Sequence, residues 1–540
     1  MPTMNQLSVL RKFLYIGLPL LILGGVAIFV IENSQLPLSI QEKRYGGVYR
    51  IAIPRYPDEM DPTRADWPIS MQLMQALHAT LVRTDANGDI VPHLATDWEV
   101  DPTKTQYRFR IRQNAFFHNG RTVTVDDVIG SLYRVLRPQS LFRDNFRMVV
   151  GYEEFIKGTA KYVQGIRKLS EDTFLIELKY PFVPFLTMLS SINFAILPIH
   201  EIESSLDFFR VPIGAGAFRW KPSYEQNTIL LESFEGYFLG RPFVDMVHFH
   251  VIEDARKREE VLYRGEVEQV YAASENSESN NSNQYTLVPI PETRIYTFGF
   301  NTARPPFNDI RVRQAFQYAL DVSPVHQQLR AYPNLRPTHG FIPKGLLGYD
   351  PDIRPFAHDL DKAKLLLLKA GVKSAGKPPT ITFATKLPKP AGEFIIRAVQ
   401  QACDALGFKV HIDEQWTDFE KDLSNSVGPD IFFIAWAPNF PDPFFLLNYF
   451  HSASIGLTNR AHFDDSQYDN LLDASTLVED PGERVALIKN INRYLIDNAV
   501  IIPIYEGSTH SGIFQKQLRG LEFPYANLPA PLLEKVWFGS

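Results

Sequence analysis

Cysteine is nearly absent from this chain: one residue, Cys403, in 540. A single thiol excludes any intramolecular disulfide. It falls on a predicted helix whose apolar face runs Ile395, Val399, Ala402 and Leu406, with no histidine or cationic cluster beside it. That setting is the setting of a buried structural thiol, not of a nucleophile. An excess of positive charge is missing as well. Lys and Arg number 55 against 61 Asp and Glu, a formal charge of −6, so no basic field invites nucleic acid.

Catalytic signatures are equally scarce. There is no Gly-rich phosphate loop ending in Lys-Ser/Thr, no His-Glu-x-x-His and no Gly-x-Ser-x-Gly elbow. Gly214-Ala215-Gly216 imitates half of a dinucleotide fingerprint, but without the third glycine or a helix start it reads as a tight turn. Carboxylates are abundant, yet no pair is singled out for acid–base work. His118 stands beside the Asn119-Gly120 turn with no partner at metal spacing. His248 and His250 share one face of the strand VHFHVI without a third ligand in view. The expectation is a protein that is not an enzyme, with no catalytic residue, no metal and no cofactor.

What is present suits burial and binding. The chain is 45% hydrophobic and 13% aromatic, enough to fill large cores and better suited to two lobes than to one. Most of the rings belong to core packing; some can line a site that sandwiches a ligand. Near the N-terminus, Arg11-Lys12 precede an uncharged, predominantly apolar run over residues 13–31. That run is long enough to cross a bilayer, and no cysteine follows it to carry a lipid. It reads as an uncleaved anchor with its basic end in the cytoplasm; a cleaved export signal is the alternative. Either way the body is exported.

Periodicity organises that body. Tyr49, Ile51 and Ile53 alternate as a first strand, and a helix passes through Met71, Met74 and Leu77. Tyr107, Phe109 and Ile111 alternate with Arg108, Arg110 and Arg112, a half-buried strand with one basic, solvated face. Thr124, three residues before Asp127, predicts a helix capping box. Residues 273–284, ASENSESNNSNQ, are a polar low-complexity loop. Beyond it, Asn308 or Asp309 caps a helix whose buried face is Val312, Ala315, Phe316, Ala319 and Leu320. Asp359 opens another helix that stops at Gly371. Strands are then predicted over 381–384, 408–412 and 430–436, with helices over 393–406 and 418–424. This alternation predicts an α/β lobe with a largely parallel sheet. In open α/β sheets ligands sit outside the carboxyl ends of the strands. Two loops of unusual chemistry follow such ends here, TKLPKP at 385–390 and APNFPDP at 437–443.

Residues 298–321, FGFNTARPPFNDIRVRQAFQYALD, together with 436–443, WAPNFPDP, resemble signatures of the large solute-binding proteins that feed peptide and nickel importers. Further stretches resemble the same family in the same order: DIVPHLATDWEV, YRFRIRQNAFFHNGRTVTVDDV, VPIGAGAFRW, GYFLGRPFVD, GFIPKGLLGYDPD, HDLDKAKLLLLKAGV, NRAHFDDSQYDNLLDAS and RYLIDNAVIIPIYEG. They span the chain from about Tyr45 to its end. The resemblance implies a bilobal α/β fold of the periplasmic-binding-protein type (type II, large peptide-binding class) behind an N-terminal transmembrane helix. It implies a tail, anchor and linker over 1–44, a first lobe over 45–295, a second over 296–501 and a return to the first over 502–540. The hinge would lie near residues 296–301 and 501–505.

The function implied is the substrate-binding component of a peptide-type ABC transporter, which captures a peptide or peptide-like solute between its lobes and delivers it to a membrane permease. A membrane-anchored sensor or co-receptor with the same fold is the alternative. The resemblance also implies a monomer at the periplasmic side of the inner membrane, or free in the periplasm after cleavage. In peptide-binding relatives an aspartate three residues after the tryptophan pairs with the peptide amino group; here that position is Asn439, which brings no charge. Asp442 is the nearby carboxylate, in an Asp-Pro step that looks structural in the family. Dipeptide-binding relatives hold the ligand carboxylate with an Arg-Pro step, matched here by Lys389-Pro390, where a surface lysine is the other reading. Trp436 and Phe440 complete the expected ligand-binding set as an aromatic wall.

Overall fold

A computed structural model of the protein describes residues 44–539, apart from 58, 66–67, 86, 206, 273–283, 290–293, 331–334, 355, 373–378, 386–390, 414–427, 439, 508–510 and 524–530. The apolar run at 13–31, nearly all of the polar stretch at 273–284 and the helix expected at 418–424 therefore lie outside the described residues. Among the described residues no helix is long and apolar enough to cross a membrane.

The first body of structure is built on a seven-stranded sheet. Val48–Ile53 lies between two parallel neighbours, Met246–Val251 and Gln269–Ala272. Antiparallel strands extend it on both sides: Thr228–Ser233 and then Phe218–Lys221 on one, Ser511–Gln515 and then Tyr285–Pro289 on the other. Ser511–Gln515 comes from the far end of the chain, so this sheet closes only when the C-terminus returns. Tyr49, Leu73, Leu77, Phe218 and Phe249 form its core.

A second, four-stranded antiparallel sheet runs Ala95–Val100, Gln106–Ile111, Thr173–Glu177 and Ile166–Lys168. Gln106–Ile111 buries Tyr107, Phe109 and Ile111 and exposes Arg108 and Arg110, as its alternation requires. The helix Val125–Val135 packs beside it and begins with the expected capping box between Thr124 and Asp127. Arg121 grips Asp127 through both carboxylate oxygens at 2.8 Å.

The Gly214-Ala215-Gly216 turn closes against the end of helix Pro68–Leu77. A Cβ on Gly214 would stand 1.9 Å from the Leu77 carbonyl oxygen, and one on Gly216 2.4 Å from that of Ala76. Backbone approaching backbone this closely admits only glycine. His118 fixes the same turn: its Nδ1 accepts from the Gly214 N–H at 3.2 Å, and its Nε2–H donates to the Gly216 carbonyl at 3.2 Å. Both ring nitrogens of that candidate ligand are thus spent on the turn. His248 and His250 lie on the strand Met246–Val251 with ring centroids 6.2 Å apart.

The third sheet has six strands, in the order Leu335–Pro337, Ile501–Gly507, Ile295–Phe300, Ile431–Trp436, Thr380–Thr385 and Lys409–Asp413. A largely parallel sheet was expected; it is mixed. Thr380–Thr385 is parallel to both neighbours, whereas Ile295–Phe300 is antiparallel to both of its own. The alternation rule covers only the local strand–helix–strand units. The other three strands arrive from outside those units and pair in the opposite sense. Both faces are covered, as the fully buried Ile295–Phe300 requires. Phe298, Phe300, Phe383 and Phe433 face one core with helix Ile310–Ala319, and Phe432, Ile434 and Trp436 face the other with helix Pro481–Asp497. Cys403 is fully buried on helix Ala391–Leu406, and burial pushes its thiol up to about 12.

Two buried histidines tie the first body to neutral pH. Burial lowers His78 and His93 each to about 3. His93 Nδ1 accepts from the Thr80 N–H at 3.2 Å and its Nε2 meets the Tyr237 hydroxyl at 3.1 Å, so a second proton on the ring breaks the Thr80 bond. The folded values lie below the unfolded one. Their stabilising effect is therefore complete above the unfolded value near 6.5 and is lost as pH falls toward 3. Each contributes about 1.4 kcal/mol per pH unit over that window. Urea unfolding of His93→Gln at pH 7, 6 and 5 is expected to show a pH slope shallower by that amount than the parent's; an unchanged slope refutes the assignment.

Candidate functional site

Thr380–Thr385 and Ile431–Trp436 are parallel neighbours, with Ala384 opposite Phe432 and Thr385 opposite Phe433. Their carboxyl ends, at Thr385 and Trp436, therefore reach the same sheet edge. Lys389 and Asn439 follow these two strands in the sequence and lie outside the described residues. The flanks of Asn439 are described and pinned. The Tyr449 hydroxyl donates to the Ala437 carbonyl at 3.2 Å, and the Asp442 N–H donates to the Phe440 carbonyl at 2.8 Å.

The structure places Trp436 inside the core at the end of its strand, 2% exposed. Its indole N–H donates to Thr297 Oγ1 at 2.8 Å, which satisfies the one polar group of the ring. Phe450 and Tyr449 pack on it at 5.1 and 5.2 Å between centroids, and the Arg460 guanidinium lies 5.7 Å from the ring. Trp436 thus anchors the loop's root and offers no open face in this arrangement.

Phe440 leaves that core and enters another. It is 1% exposed and packs with Phe142 at 6.1 Å and Phe194 at 5.7 Å, members of the core around the four-stranded sheet. Phe445 stands 4.4 Å from Phe440, and Phe182 meets Phe444 edge-on at 5.3 Å. The Val183 N–H donates to the Thr476 carbonyl at 2.9 Å beside these rings. The loop that ends the central strand of one sheet is therefore inserted into the aromatic core of another. The sequence reading missed Phe142, Phe182 and Phe194. Nothing local marks them, because each looks like any core phenylalanine until the chain is folded.

Asp442 holds this insertion in place. The Phe444 N–H donates to its Oδ1 at 2.9 Å, capping helix Pro443–Leu447. Arg484, from helix Pro481–Asp497, donates to both oxygens at 2.8 Å, and its Nε–H donates to the Ser475 carbonyl at 3.0 Å. Both side chains are buried. A buried carboxylate already paired with a buried guanidinium has its charge spent inside the protein, and the two-pronged geometry makes the pair a rivet.

Comparison with known proteins agrees with this architecture. The family model described as bacterial extracellular solute-binding proteins, family 5 Middle, matches residues 89–456. The chain is 24% identical over 502 residues to the probable D,D-dipeptide-binding periplasmic protein DdpA of Escherichia coli K12, covering 89% of this chain and 91% of that one. It superposes on the periplasmic binding protein AgaA of A. tumefaciens R10, solved with agropinic acid, with a TM-score of 0.75 at 24% identity, covering 92% of this chain and 99% of that one. It also superposes on DppA of Helicobacter pylori, solved with the peptide STSA, with a TM-score of 0.73 at 22% identity, again covering 92% and 99%. The likeness to these structures shows a bilobal α/β periplasmic-binding-protein fold.

Asp442→Asn tests the rivet. The substitution keeps the shape but leaves Arg484 buried beside a neutral amide, at an expected cost of about 3–5 kcal/mol. Urea unfolding should show that loss. A change below about 1 kcal/mol, the scale of an exposed pair, sinks the assignment.

Proposed function

The chain belongs to the bacterial extracellular solute-binding proteins of family 5, and we propose that it captures a peptide or peptide-like solute between its lobes for delivery to an ABC permease. One observation carries the placement of the site: the 437–443 loop leaves the carboxyl edge of parallel strands and ends on the aromatic core of the other lobe. A solute held there touches both lobes, and its capture couples to their closure about a hinge. The peptide class is supported by relatives named as dipeptide- or di/tripeptide-binding proteins. The family is one of binding proteins, which accords with a role that is not enzymatic.

The expected bounds, 45–295 with a 502–540 return for the first lobe and 296–501 for the second, divide a strand; because Ile501–Gly507 pairs within the six-stranded sheet, in this reading the second lobe runs from Ile295 to Gly507 and the return to the first begins at Ser511. The return is supported by the pairing of Ser511–Gln515 with Gln269–Ala272. The segments read as hinge, 296–301 and 501–505, are paired strands of the six-stranded sheet. Asn439 and Lys389 are the groups offered to the two ends of the solute. Trp436, Phe440 and Asp442 form the frame that holds the loop, a division supported by their burial and by the Arg484 pair. The body acts outside the cytoplasm as a monomer, tethered by residues 13–31 or released after their cleavage.

Native mass spectrometry of the full-length chain, purified without added ligand, is the first test. Adducts of peptide mass that leave on denaturation are expected; a clean mass that stays inert to a peptide library overturns the reading. Asn439→Asp examines the amino end. A charge-assisted bond replaces a neutral one, a gain of about 1–2 kcal/mol. Peptides with free amino ends should therefore bind roughly 5- to 30-fold tighter. Unchanged affinity removes Asn439 from the site.

A further inference from the structure

Helix Ile310–Ala319 carries an anomaly on its buried side. Gln317 is 3% exposed, and neither its Oε1 nor its Nε2 has a hydrogen-bond partner. A buried amide left unpaired is penalised relative to an apolar side chain of the same size, so its presence asks for an occupant. The amide borders a small pocket, a cavity of about 40 Å³ that opens to solvent, against the strand Ile501–Gly507. No described residue of the 436–443 loop lines it.

The rest of the lining is selective. His326, His339 and Arg354 supply the other polar groups, and Leu320 and Ile502 are among the apolar ones. His326 Nε2–H donates to the Ile504 carbonyl at 3.0 Å, which leaves Nδ1 as its acceptor. Burial lowers both imidazoles below their ordinary value, and for His339 the charges of His326 and Arg354 act in the same direction. Both rings are thereby held toward the neutral form, and Arg354 brings the full charge of the described lining. Among the described residues no carboxylate lines the pocket. Asp321, which acts on His326 from the preceding turn, accepts from the Ser323 N–H at 3.0 Å.

We propose that this pocket is a second binding site, one for a small carboxylate held by the Arg354 guanidinium and the Gln317 amide, with a short alkyl part against Leu320 and Ile502. A guanidinium without a carboxylate partner among the described residues and a buried donor without an acceptor are complementary to such an anion. A neutral amide or an alcohol meets only half of that demand. A cation is repelled.

Saturation-transfer NMR of the full-length chain titrated with acetate at constant ionic strength is the test. Acetate should bind saturably at millimolar concentrations, with acetamide about tenfold weaker or worse. Arg354→Gln should weaken acetate by about tenfold. Gln317→Leu should weaken it too, yet keep or raise the thermal midpoint without acetate, because it removes an unpartnered buried polar group. That second readout separates lost binding from lost folding. N-acetyl-Ala-Ala distinguishes the sources of the carboxylate: competition with acetate assigns the pocket to a peptide C-terminus, and its absence assigns a free small acid. Failure of acetate to saturate by roughly 50 mM, or equal binding by parent and both variants, overturns the proposal.

Discussion

The pairing of Ile295–Phe300 with Ile501–Gly507 is the constraint on which the second lobe depends. The two strands lie about 200 residues apart in the chain and pair antiparallel at the centre of the six-stranded sheet, with Tyr296 stacked on Tyr505 at 4.3 Å. Everything between them is a loop closed by that pairing, and the entropy of closing so long a loop must be offset by burial. The offset is visible: Ile295–Phe300 is buried along its whole length, and all but the last residue of Ile501–Gly507 is buried too. The chain leaves the seven-stranded sheet after Pro289 and rejoins it at Ser511, so one pairing both closes one lobe and delivers the strand that completes the other.

A consequence is that the chain enters and leaves the six-stranded sheet on adjacent strands, at Ile295 and at Gly507. On the proposed reading, relative motion of the lobes leaves this pairing intact. Contact between lobes is made elsewhere, by Phe440, Phe444 and Phe445 against Phe142, Phe182 and Phe194. This aromatic contact is broad but not directional. Its placement is set by Asp442, whose pairing with Arg484 fixes the start of helix Pro443–Leu447 and with it the direction in which the rings project. A polar pair in the second lobe thereby determines an apolar contact with the first.

Local chemistry was legible in the sequence and long-range pairing was not. The capping box at Thr124 and Asp127, the Asp309 and Asp359 caps, the alternation at 106–111 and the buried run ending at Trp436 were all read from residues within one or two turns of each other. The sense of strand pairing failed at Ile295–Phe300, because antiparallel partners 200 residues away leave no local periodicity. Of the candidate site, the strand end was legible: the 437–443 stretch does follow the carboxyl end of Ile431–Trp436. The side chains on it were read as a wall facing a solute, whereas Trp436 spends its indole N–H on Thr297 and Phe440 crosses to the other lobe. An aromatic residue in a loop has the same appearance in a sequence whether it faces a ligand or a core.

The charge of the loop then bears on what the cleft selects. Residues 437–443 contain one carboxylate, Asp442, and Arg484 takes both of its oxygens. On the proposed reading no ionic partner for an ammonium group comes from this loop, and Asn439 offers a neutral acceptor in its place. Bringing a free amino terminus into a closed cleft strips it of water, and a neutral amide recovers less of that loss than a carboxylate does. A solute whose amino end is blocked, substituted or missing suffers no such loss. Chains of the same fold solved with agropinic acid and with a peptide illustrate that the scaffold does not dictate the solute. The discrimination lies in which buried charges the cleft leaves unpaired. A loop that has already neutralised its own acid favours solutes that are peptide-like along the backbone and uncharged at the amino end.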